Sequence, residues 1–409
     1  HSLDGEVTFG KDSNAWLSWT WMQLWPDLNI GVSRYTYKGT YGYAVDADGV
    51  AATDNDRTIV DLKFEQRSDD AWATITYGPS YALWGGLFAD VSRYAFRDTG
   101  DGPNFIPYTE HAGVGFFGEW TPSGGYFAGD QWINPRGGRR LYLDIQHRWT
   151  QIVDPELGGT IIDDGMELGA YGYNQVSASY TEWVPLGWWG LFDQHTLQFD
   201  VEGGWIDRNV MGWDEFLAGG RHPYHWGSGT IGNNVQFSGY EGWSLAGETM
   251  LIGNLTYRFP LVRDLNWKVG PTYTDAMYLQ LFGSIGNLWS YRVDGPSHVE
   301  GYSVVADNEA DVRREIPFVD YASKNSPAGT NNYWLSDVGA ELRVRSFIWN
   351  DWDWDSFLRV AYGLRPTAGY GDVNNDLIQS SVARDATSEL SDEVEPPTIR
   401  VYAGIGTGW

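Results

Sequence analysis

Strict two-residue alternation, repeated along the whole chain, is the feature that most restricts its fold. Leu141, Leu143, Ile145 and Trp149 alternate with Tyr142, Asp144, Gln146 and Arg148. Leu197, Phe199, Val201 and Trp205 alternate with Gln198, Asp200 and Glu202, and Val338, Ala340, Leu342 and Val344 with Gly339, Glu341, Arg343 and Arg345. Successive side chains of a strand point to opposite faces, so each segment is a strand with one apolar and one polar face. The same pattern flanks Arg67-Ser68-Asp69-Asp70, which predicts a hairpin between strands at 57–66 and 70–78. The final stretch, IRVYAGIGTGW, puts Val401, Ala403, Ile405, Thr407 and Trp409 on one face. Its other face, Tyr402, Gly404, Gly406 and Gly408, is nearly empty.

Alternation alone also suits a soluble sandwich or propeller with its polar face in water, so strand length decides. Globular strands are typically about five or six residues, whereas a strand slanting across a hydrocarbon layer needs about nine to eleven. Segments of the longer kind lie near 14–22, 27–38, 57–66, 70–78, 82–96, 110–121, 139–150, 168–182 and 195–206. Five more lie near 247–259, 276–288, 335–347, 356–366 and 399–409. The composition agrees. There are 23 Trp and 25 Tyr, yet only 20% of residues are charged and mean hydropathy is −0.39. Tyrosine and tryptophan concentrate where one end of a side chain is greasy and the other wet. No run approaches the roughly 18 apolar residues of a spanning helix, so residence in a bilayer requires a closed barrel, in which every backbone group is paired. The expected fold is all-β: one transmembrane antiparallel barrel over residues 1–409, with apolar residues on lipid and polar or small ones in the lumen.

Segments 290–333 and 367–398 are long and polar, while 260–275 and 348–355 are shorter. This suits outer loops alternating with periplasmic turns. The chain lacks cysteine, as fits an oxidising envelope compartment. Its net charge of −27 disfavours nucleic acid and anionic lipid as partners, and acidic outer loops account for most of it. His1 in place of Met suggests a processed or trimmed chain.

Catalytic and metal signatures are weak. No Gly-x-Ser-x-Gly elbow, phosphate loop or dinucleotide fingerprint occurs, so no enzyme activity and no cofactor are expected. His222 and His225 lie three apart in RHPYHW without a third zinc ligand of matching spacing. Asp46, Asp48 and the run Asp54-Asn55-Asp56 offer hard oxygens but lack the full calcium-loop pattern. NDWDWD, residues 350–355, is most simply a turn with interfacial tryptophans.

From residue 216 onward an ordered series appears: FLAGG (216–220), FSGYEG (237–242), NLTYRFPL (254–261), LFGSIGNLW (281–289), LSDVGAELRVR (335–345) and FLRVAYGL (357–364), then the terminal aromatic strand. The series resembles the bacterial surface antigen family of outer-membrane barrels. That family includes the central subunit of the barrel-assembly machinery and the two-partner secretion transporters. The resemblance covers roughly the last 190 residues; before it only the pattern agrees. It implies sixteen strands, five of them matched. Eleven would then precede, against nine read above, with two hidden within 122–136 or 152–167. It also implies that FSGYEG lies on a loop folded back into the lumen, where an arginine would pair with an acidic group on the wall.

Here the arginine position is Ser238, and the wall's acidic positions are Ser284, beside Gly286, and Thr256. Removing one partner of a buried ion pair strands the other at about 3–5 kcal/mol, and removing all of them avoids that cost. The expected lumen loop, with Phe237, Ser238, Gly239 and Tyr240 as its motif, is therefore held by neutral hydrogen bonds and by Phe237 and Tyr240. The alternative is a glycine-rich turn in an outer loop. Val401, Ala403, Ile405 and Trp409 match the terminal signal by which the family's barrels are recognised for insertion, and they also suit a plain lipid-facing strand. The resemblance implies location in the outer membrane of a Gram-negative-type bacterium. It implies action in protein translocation or outer-membrane assembly, with lipid and client polypeptides as partners. A structural anchor for a periplasmic or surface envelope protein, and a diffusion pore, are the alternatives.

Overall fold

The computed structural model describes residues 2–8, 13–22, 26–45, 58–80, 82–98, 106–122, 137–152, 170–189, 194–207, 214–220, 234–240, 245–291, 321–322, 334–348, 352–368, 394–395 and 397–406. Nine strands open the chain: β1 (Ser2–Thr8), β2 (Ser13–Trp21), β3 (Asp27–Val45), β4 (Thr58–Ser80), β5 (Leu83–Asp98), β6 (Ile106–Trp120), β7 (Gly138–Ile152), β8 (Ala170–Pro185) and β9 (Thr196–Ile206). Three short ones follow, β10 (Phe216–Ala218), β11 (Asn234–Val235) and β12 (Leu245–Gly247). Then come β13 (Thr249–Val262), β14 (Trp267–Val269), β15 (Thr272–Tyr291), β16 (Tyr321–Ala322), β17 (Leu335–Ile348), β18 (Trp352–Gly363), β19 (Thr367–Ala368), β20 (Val394–Glu395) and β21 (Ile399–Gly406).

Sixteen of these form one antiparallel sheet. Fourteen make a continuous meander in the order β1 to β9, β13, β15, β17, β18, β21; the short β14 and β16 each pair with β15. No helix among the described residues is long and apolar enough to span a membrane. The outward face is greasy and uncovered: Leu87 is 59%, Ile285 55% and Val401 63% exposed, and Val32, Val91, Val114, Ile145, Leu255 and Leu358 share that face. The inward face carries Asp144, Gln146, Gln175 and Glu341, all buried.

Aromatic rows bracket the greasy band. Trp205 and Trp289 stand in register on either side of Thr249, and Trp289 meets Trp334 edge-on. Ten residues further along β13, Phe259 stacks on His195 beside Tyr257. Ten residues rise about 33 Å, or about 25 Å once a strand tilt near 40° is included, the height of an outer-membrane apolar band.

The hairpin expected at 57–66 and 70–78 is a single strand, β4. It pairs with β3 without a break from Thr58 to Thr76 and with β5 from Phe64 to Tyr77. The polar quartet that suggested a turn is stitched sideways instead. Asp69 takes Arg34 from β3 and Arg67 from its own strand, and Ser33 donates to Asp70 at 2.9 Å. A second strand, β1, was not expected; with Leu3 and Val7 outward it restores the count of nine before the loop. The segments proposed to hide two further strands fall almost wholly outside the described residues, as do Trp409, residues 221–226 and the acidic loop 46–56.

Candidate functional site

The bore is crossed by the segment between β9 and β13. Its strands β10, β11 and β12 form a separate small sheet, with β10 between the other two. Phe216, Ala218, Phe237, Tyr240 and Leu245 pack with Tyr173 on β8, Ile206 on β9, Met250 and Ile252 on β13, Leu288 on β15 and Leu335 on β17. An outer loop in water could not bury such a cluster; inside the sheet it removes apolar surface from the bore. Tyr240 is 5% exposed and stands edge-on to Phe237, so it lies within the wall.

Two clips hold this segment. At the first, the Gly239 N–H donates to the Asp337 carboxylate at 2.7 Å, and the Tyr240 hydroxyl donates to the Ser336 carbonyl at 2.9 Å. Tyr402 of β21 donates to the Ser238 carbonyl at 2.9 Å. Glycine is required here. A Cβ on Gly239 would lie 2.4 Å from the Asp337 side chain and 2.8 Å from the Gly363 backbone. At the second clip, Thr150 on β7 donates to Asp214 at 2.9 Å, His111 on β6 lies 3.5 Å from the same carboxylate, and Tyr173 on β8 bonds to it. The segment thus runs from the middle of the meander to its far edge.

The wall under the first clip is built in inward rows. Ser284 faces Asp337 directly across β15 and β17, with Asn254 and Gly363 completing that row. The next row is Thr256, Phe282, Gly339 and Ala361. Gly339 leaves room for the Phe282 ring, which a Cβ there would meet at 2.3 Å. Arg359 lies over that ring at 3.7 Å.

Of the residues singled out from the sequence, Phe237, Ser238, Gly239 and Tyr240 are brought together inside the bore. Ser284 stands beside Asp337, the group that binds Gly239. Thr256 is buried in the wall and makes no hydrogen bond to the segment among the described residues. Gly286 fits the close passage of β13, where a Cβ would meet the Leu251 carbonyl at 2.3 Å. Val401 and Ala403 face outward. The expectation of purely neutral bonds is corrected: an acid does hold the turn, displaced one strand to Asp337 and bound to a backbone N–H rather than to an arginine. Asp337 shares the polar face of Glu341 and Arg343, so its inward direction was readable; its partner was not. Asp214, Thr150, His111 and Tyr402 were also missed.

The fold and this occupied bore define an outer-membrane β-barrel with a loop folded into its lumen. Residues 129–346, just over half of the chain, match the Omp85 superfamily domain, and the chain belongs to that family. The match begins well before residue 216, where the motifs first become recognisable. Among solved structures, BamA from Haemophilus ducreyi lacking POTRA domains 1–3 is 12% identical, covering 97% of this chain and 62% of its own, with a TM-score of 0.46. CdiB from Escherichia coli is 10% identical over 97% of this chain and 53% of its own, with a TM-score of 0.45. CdiB from Acinetobacter baumannii is 13% identical over 87% and 47%, with a TM-score of 0.41. The chain therefore spans less than two thirds of the length of these structures. No curated protein matches it in sequence.

Proposed function

We propose that this barrel acts in protein translocation or outer-membrane assembly, working on polypeptide at its sheet edges rather than through an open bore. The observation that carries the reading is the doubly clipped segment within the lumen, which takes up space that a wide diffusion pore needs. The edges support it further. Among the described residues no ladder joins β1 to β21, and the glycines of β21 pack little side-chain surface. In this reading residues 1–409 form one barrel domain. The turn at 237–240 is the latch, Thr256, Ser284 and Gly286 shape the wall behind it, and Val401, Ala403, Ile405 and Trp409 serve as the insertion signal. The partners are outer-membrane lipid and client polypeptides.

The second clip favours one further reading, a structural anchor for an envelope complex, because a segment fixed at both ends makes a rigid plug. A photocrosslinking residue in place of Leu3 or Val401 tests both in living cells. Capture of many nascent outer-membrane chains supports the assembly reading, and capture of one stoichiometric envelope protein supports the anchor. Large, steady conductance in planar bilayers would overturn both.

A further inference from the structure

On the side of the lumen segment that faces the short turns, one row of inward side chains crosses five strands in register. Arg258 on β13 faces Gln280 on β15, which faces Glu341 on β17; Glu341 faces Arg359 on β18, which faces Tyr402 on β21. The first four are more than nine-tenths buried. Tyr402 is the residue that grips Ser238, so the row adjoins the first clip.

The acceptors of this row are already engaged. Glu341 receives Arg343 on one oxygen and Arg359 on the other, the latter at 3.2 Å. Asp200, the other carboxylate within electrostatic reach of Arg258, receives Gln198 and Thr181. Glu202 lies further along β9, toward Arg140. Arg258 donates through Nη2 to the side-chain carbonyls of Gln198 at 3.0 Å and Gln280 at 3.2 Å. Its Nε and Nη1 meet no acceptor among the described residues, and neither does Nε2 of Gln280. A second cation, Arg343, stands near enough to repel Arg258. Unmet donors and neighbouring positive charge in a buried place form an environment complementary to an anion.

We propose that Arg258 and Gln280, with Arg343 nearby, bind a small inorganic anion, a halide or an oxyanion such as phosphate, beneath the lumen segment. The site ties β13 and β15 to the row that ends at the latch, and it does so whichever function the barrel serves.

The test is thermal unfolding of the purified full chain in detergent, in sodium chloride, sodium phosphate or sodium gluconate at equal ionic strength, with crystals grown in bromide. The melting temperature is expected to rise by a few degrees, saturably, with chloride or phosphate over gluconate, the better of the two identifying the preferred class. Arg258→Met should abolish that dependence. Gln280→Glu supplies an acceptor from the protein itself. It should match in gluconate the stability of the parent in the saturating anion, and lose the dependence, which keeps the proposal testable if Arg258→Met does not fold. An anomalous bromide peak within hydrogen-bonding distance of Arg258 Nη1 would place the ion. A melting temperature indifferent to the anion, dependence that survives in Gln280→Glu, or a water alone beside Arg258 would overturn the proposal.

Discussion

Replacing Asp337 with alanine isolates the first clip. The mutation removes the acceptor of the buried Gly239 N–H, 2.7 Å away, and leaves the ladders of β17 with β15 and β18 intact. A hydrogen bond to a charged group contributes about 1.5–3 kcal/mol, which at about 1.4 kcal/mol per factor of ten moves the docked–undocked equilibrium roughly 10- to 150-fold. The chain has no cysteine, so Ser238→Cys introduces its only thiol, at a position 1% exposed. When opening and closing are fast, the maleimide labelling rate follows the undocked population, and it should rise by that factor in Asp337→Ala. Asp337→Asn keeps a carbonyl acceptor and should fall between the two. Heat-modifiable migration on gels checks that the barrel is still folded. If labelling is unchanged in a folded Asp337→Ala barrel, the carboxylate does not hold the segment and the account of the clip is wrong.

Two further outcomes follow from the same geometry. Gly363→Ala should also release the segment, because its Cβ would lie 2.8 Å from the Gly239 carbonyl and 3.3 Å from the Tyr240 ring; the same thiol assay reads it, and wild-type labelling would count against close backbone contact. Ile285→Arg places a charge on the lipid face, at a cost of about 2–4 kcal/mol near the midplane, and should slow or prevent folding into vesicles on gels, whereas unchanged folding would mean that this face does not meet lipid.

Much of the fold was readable because alternation is local. A strand side chain's direction depends only on its parity, so Leu197, Phe199 and Val201 announce an outward face wherever the strand sits. Arg67-Ser68-Asp69-Asp70 shows the limit of that reading. The quartet has turn chemistry, yet Arg34 and Ser33, on a strand far away in sequence, give its acids partners and keep the chain extended. The site was legible in part for a related reason. The glycine and aromatic residues of FSGYEG mark a close-packed turn, and the absent arginine was visible as Ser238.

By itself, the sequence determined that this chain builds long two-faced strands with aromatic rims, because backbone geometry and lipid act on each segment independently. Only the tertiary structure decided that Asp337 receives Gly239 from 98 residues away, that Asp214 receives Thr150 and stands beside His111, and that Arg258 stands in one row with Glu341 and Arg359. Those pairings depend on register between strands and on the path of a segment through the bore. Register is a property of neighbouring strands taken together, and no single stretch of the chain carries it.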